Sequence, residues 1–148
     1  MTFSDINFSE WSAVLPQHFQ FYHLGEVSSK ALFNKTENPL KDALAVGYQI
    51  KGDIQAVVLV IFDRGLDLSV YSELGNVLAS QIANQLHSQK GFDVLISPPQ
   101  ILSESLFENI QRSQKPLLKR TYAHVYHNFV IPIETWILKA LPEGVGHA

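Results

Sequence analysis

The chain has 148 residues, and its 11 Lys and Arg against 14 Asp and Glu leave a formal charge of −3, which gives no basic footprint for a nucleic acid. With 46% hydrophobic and 17% charged residues, it reads as one folded domain over 1–148, too apolar for disorder. It contains no cysteine, which excludes disulfides, thiolate metal sites, iron–sulfur clusters and a cysteine nucleophile. The start, MTFSDINFSEW, lacks a basic leader, and the longest apolar run, Ala56 to Phe62, is far below bilayer length. A cytoplasmic protein without membrane insertion is expected.

Trp11, Val14, Leu15, Phe19 and Tyr22 recur at helical spacing, which predicts a helix over 8–22, kinked at Pro16 and stopped at Gly25. Val27 to Phe33 and Ala43 to Ile50 have strand patterns, joined by the polar turn Asn34 to Lys41. Lys51-Gly52-Asp53 reads as a hairpin turn leading into Ile54 to Phe62, whose β-branched density marks a central strand. A long helix is predicted from Asp67 to His87, with Leu74, Val77, Leu78, Ile82 and Leu86 on one face and Gly91 as its stop. Val94 to Ile96 is extended and leads to the rigid Pro98-Pro99 pair; a second helix opens at Ser105, whose spacing to Glu108 fits a capping box. Leu117 to Tyr126 and Phe129 to Leu138 form a last hairpin, turning at His127-Asn128, before a Gly-rich flexible tail over 142–148. This order predicts an α+β fold in which helices cover one face of a mostly antiparallel sheet, the other face needing cover or a partner.

There is no G-x-S-x-G, no GxxxxGK(S/T) and no GxGxxG, so the hydrolase elbow, the P-loop and the dinucleotide fingerprint all lack their opening residues. His124 and His127 are three apart on a strand and point to opposite faces, a poor geometry for a shared metal; no metal site is expected. His18, His23 and His87 read as helix-surface or loop residues, and Arg112, Lys115, Lys119 and Arg120 as solubilising edge charges. The long helix is more informative. At about 100° per residue, Ser69, Glu73 and Asn76 share one stripe that Ser80, Asn84 and His87 continue. A solvated helix face favours long charged residues, whereas this stripe has one formal charge and several short polar groups that are mediocre helix formers. Short polar groups let another surface approach closely; the plain alternative is a polar surface helix.

The segment S69-V-Y-S-E73-L-G-N76, followed after twenty-two residues by Pro99, resembles the signature of the CheC/CheX family of chemotaxis phosphatases: Asp or Ser, three residues, Glu, two residues, Asn, twenty-two residues, Pro. Every defined position is met, and at about 5% background usage per residue type a chance match has odds of roughly a few in a thousand. The resemblance covers about 69–101. No second E-x-x-N occurs, which implies one site per chain, as in CheX; the approach from Phe62 to Ser69 is shorter than in typical CheX-like chains.

The resemblance implies a CheC/CheX-like α+β domain that hydrolyses the phospho-aspartate of a CheY-type response regulator. By that resemblance Asn76 holds the attacking water, Glu73 engages the regulator's lysine, and Ser69 caps or contacts at the helix start. Ser80 extends the partner-binding stripe, and Pro99 is a structural member of the motif. The chain needs no cofactor of its own, since Mg2+ is supplied by the regulator. A homodimer formed through the sheet is expected, because CheX-like members dimerise and because the strands Ile54 to Phe62 and Val125 to Leu138 offer more apolar surface than the helices obviously cover. Two other readings stand beside the phosphatase: a non-catalytic adaptor on the same fold, binding a regulator, a chemotaxis protein or a flagellar-switch component, and an unrelated small-ligand domain built around an apolar pocket.

Overall fold

In the computed structural model, residues 8–23, 26–33, 42–63, 68–126 and 129–139 are described. The elements run α1 (Phe8–Val14), β1 (His18–His23), β2 (Glu26–Phe33), β3 (Ala43–Gly52), β4 (Ala56–Asp63), α2 (Leu68–Lys90), β5 (Val94–Ile96), β6 (Gln100–Ile101), α3 (Glu104–Ser113), β7 (Leu118–Tyr126) and β8 (Phe129–Leu138). One antiparallel sheet carries the strands in the order β1-β2-β7-β8-β4-β3-β5, with β6 also paired to β3. The α+β architecture read from the sequence is therefore present, and β4 is an interior strand, flanked by β3 and β8.

The continuous apolar run of β4 has a simple cause: both of its faces are covered. Ala56, Val58, Val60 and Phe62 join Leu44, Val46, Tyr48 and Ile50 of β3 in a core closed by α1 and α2. Val57, Leu59 and Ile61 point the other way, into a second core with Leu102, Phe107, Ile110, Trp136 and Leu138. Phe107 and Ile110 are three apart on α3 and form its apolar side. This corrects the expectation of helices on one face, because α3 covers the opposite one. It also removes the β4 part of one argument for a dimer, since every residue from Ala56 to Phe62 is at most 4% exposed within the single chain.

The first helix is shorter than its periodicity predicts. The last bond of α1 runs from the Leu15 N–H to the Trp11 carbonyl, and Pro16 then stops the helix because the residue before a proline avoids helical dihedrals. Phe19 and Tyr22 lie instead on β1: HFQFYH is aromatic and compatible with either period, and pairing with β2 decides for the strand. α1 is fastened to β7, where the Tyr122 hydroxyl donates to the Pro16 carbonyl at 2.7 Å and the Arg120 guanidinium donates to the Ser12 hydroxyl at 2.7 Å.

Other boundaries also move. β3 continues through Lys51 and Gly52 rather than turning there, and Gly52, at φ 142°, passes so close to the Asp93 carbonyl that any side chain would collide with it. α3 is capped by Ser103, not Ser105: the Ser103 hydroxyl accepts from the Leu106 N–H at 3.2 Å. β7 lies between β2 and β8 over Tyr122 to Val125, whereas Lys119 and Arg120, at its start, pair with β8 alone among the described residues. Lys119 Nζ sits 4.1 Å above the Trp136 ring, and Arg120 anchors α1. The Asn34 to Lys41 turn, Gly25, the His127-Asn128 turn, the approach over 64–67 and the tail over 142–148 lie outside the described residues.

Candidate functional site

α2 is the longest helix of the described chain, and its two faces divide as its sequence pattern demands. Leu74, Leu78, Ala79, Ile82 and Leu86 are fully buried against the sheet. Glu73, Asn76, Asn84 and His87 are exposed, and Ser80 and Val77 are half-buried at the margin, Val77 packing against the core. Glu73 and Asn76 stand one turn apart, about 4.5 Å along the axis, and both face outward. Ser69 lies one turn before Glu73 on the same helix. The helix ends at Gly91, whose positive φ of 71° and bond from its N–H to the His87 carbonyl form a left-handed cap.

The turn bearing Glu73 and Asn76 is fixed from below. The buried Tyr48 of β3 donates its hydroxyl to the Ser72 carbonyl at 2.9 Å. Burial pushes the Tyr48 phenol well above its usual pKa, so it stays a protonated donor at neutral pH. Gly75 makes the approach possible: a Cβ there would stand 2.5 Å from the Tyr48 hydroxyl oxygen and 3.0 Å from the ring. Neither residue was singled out from the sequence. The signal available was a glycine in mid-helix, which costs about 1 kcal/mol against alanine and calls for a packing reason.

Pro99 is exposed, in the loop that follows β5. It lies between β5, which pairs Ile96 with Ile50, and β6, which pairs Gln100 with Gly47. Ser97, Pro98 and Pro99 therefore stand opposite Tyr48 and Gln49 at the margin of β3. Ser97 secures this segment: its hydroxyl accepts from the Gln49 N–H at 2.8 Å and its N–H donates to the Gln49 carbonyl at 2.9 Å. A proline donates nothing to a ladder, so this margin is where a proline pair fits.

At the far end of α2, a cleft of about 860 Å³ is lined by Lys51, Gln55, Asn84, His87, Asp93 and Leu95 among others. His87 Nδ1 lies 3.1 Å from a carboxylate oxygen of Asp93, six residues on and just past the end of α2. Among the described residues, no group of three or more His, Cys, Asp or Glu side chains is placed to hold a metal. No helix among them is long and apolar enough to cross a membrane.

No family model matches the sequence, and no curated protein is similar to it. Solved structures are similar to it at low identity. A CheX–CheY–BeF3–Mg2+ complex from Borrelia burgdorferi matches at 16% identity and TM-score 0.47, covering 88% of this chain and 91% of the other. A CheC-like superfamily protein from Shewanella sp. PV-4 matches at 13% and 0.41, covering 72% and 80%. The chemotaxis protein CheX from Desulfovibrio desulfuricans matches at 14% and 0.39, covering 76% and 82%. All three come from proteins described as CheX or CheC-like, each matched at 16% identity or below.

Proposed function

We propose that the protein is a phosphatase for the phospho-aspartate of a CheY-type response regulator, with Asn76 and Glu73 as its working residues. The observation that carries this reading is the exposure of Glu73 and Asn76 one turn apart on a single rigid helix, inside a motif whose every defined position matches the family signature. Phosphoryl transfer to water goes through a loose transition state, so catalysis is mostly placement of the nucleophile in line and stabilisation of charge. The regulator's own acidic pocket and Mg2+ handle the charge. A carboxamide suits the remaining task, because its oxygen accepts from water and its NH2 donates. Asn76 orients the water without acting as a base, and its entry displaces disordered solvent. Glu73 engages the regulator's lysine, an ion pair that gains weight once docking closes it away from bulk water. Ser69 and Ser80 extend the contact along α2, Pro99 serves as a structural member, and the chain contributes no cofactor of its own.

The same resemblance supports a homodimer that works in the cytoplasm as a single domain, with one regulator docked per chain. Purified protein incubated with Mg2+-loaded, phosphorylated receiver domains tests the reading by phosphate release. Accelerated loss from at least one receiver is expected. Binding of a receiver with no acceleration refutes the phosphatase and leaves the adaptor on the same fold.

A further inference from the structure

The two separated parts of the motif, the α2 turn with Glu73 and Asn76 and the loop with Pro99, meet at one strand residue outside it. Tyr48 stands opposite the Ser97 to Pro99 segment on β3 and reaches the Ser72 carbonyl of α2 through its hydroxyl, at 2.9 Å. We propose that Tyr48 is the positioning residue of the site, setting the height and rotation of the turn that presents Glu73 and Asn76. The kinetic consequence rests on the phosphatase reading; the structural content does not.

The link to Asn76 is short. In an α-helix the carbonyl of residue 72 accepts the N–H of residue 76, and a carbonyl oxygen has a second lone pair for another donor. The Tyr48 phenol takes that place, so one oxygen joins Asn76's backbone to the sheet. β3 is a firm support, paired to β4 on one side and to β5 and β6 on the other. Gly75 completes the seat by leaving room for the ring, although glycine is a poor helix former. A side chain that orients water needs its carrier held to about 0.5 Å, and a shift of about 1 Å costs on the order of a hundredfold in rate.

Tyr48→Phe keeps the ring and removes the hydroxyl. Tyr122→Phe is the control, because it removes a buried phenol that donates to the Pro16 carbonyl and is paired with Arg120, contacts that fasten α1 and not α2. Both variants are expected to lower the melting temperature. Only Tyr48→Phe is expected to lower kcat toward a phosphorylated receiver, by at least about fivefold, with KM within about twofold. In the protein without regulator, amide exchange at Asn76 is expected to rise in Tyr48→Phe by at least about fivefold relative to Ile82 through Leu86. Equal kcat in the two variants, or unchanged exchange at Asn76, overturns the proposal. Were the unaltered protein inactive on every receiver, the exchange measurement alone decides: a selective rise upholds the positioning role while the phosphatase reading falls.

Discussion

Replacing Gly75 with alanine sets two opposed effects against each other, and the structure fixes the sign. By intrinsic propensity alone, alanine in a helix interior stabilises by about 1 kcal/mol over glycine. The new methyl, however, would lie 2.5 Å, 3.0 Å and 3.1 Å from three atoms of Tyr48, where ordinary carbon contacts begin near 3.5 Å. Tyr48 is fully buried, so its ring has no space to swing into, and α2 must rise or the bond to Ser72 must break. Overpacking costs about 1–3 kcal/mol and a lost buried hydrogen bond about 1 kcal/mol. The net expectation is a destabilisation of about 1–3 kcal/mol, which lowers Tm by roughly 3–10 °C for a chain of this size. Urea and thermal unfolding followed by circular dichroism measure it. Combining Gly75→Ala with Tyr48→Phe should cost less than the sum of the two, by at least about 0.5 kcal/mol, because the nearest clashing atom is gone. A Tm that rises in Gly75→Ala refutes the contact between ring and helix.

Asn76→Ala is expected to reduce phosphate release to the regulator's own rate, with Tm unchanged or slightly raised since alanine is the better helix former by a few tenths of a kcal/mol; retained turnover defeats the water-orienting role, and a collapsed Tm shows a structural one. Glu73→Gln keeps shape and removes charge, so KM for the phosphorylated regulator should rise at least about fivefold, while the melting curve moves by less than about 0.5 kcal/mol, as for a surface substitution; full activity across regulator concentrations contradicts the docking role. Light scattering at micromolar concentration should give twice the 16.6 kDa chain mass; a single-chain mass in a fully active sample rejects the dimer as the working form.

Local pattern in the sequence settled those features that depend on which residues need burial. The β-branched run before Asp63 specifies β4, the Leu74, Leu78, Ile82 and Leu86 series assigns the inner face of α2, and the outward Glu73 and Asn76 follow from the same 3.6-residue period. Period does not say which partner covers a face. Residues 15–22 satisfy both a helical and an aromatic strand pattern, and Pro16 together with pairing to β2 resolves it. Only the tertiary structure puts α3 on the opposite side of the sheet from α2, because that depends on how Phe107 and Ile110 meet Trp136 and Leu59 across long sequence separations. The candidate site divides the same way: its two outward side chains are legible in one helix, while the support beneath them joins Tyr48 of β3 to Ser72 and Gly75 of α2. A hydrogen bond between residues twenty-four apart leaves no periodic trace, so only the packed fold reveals it.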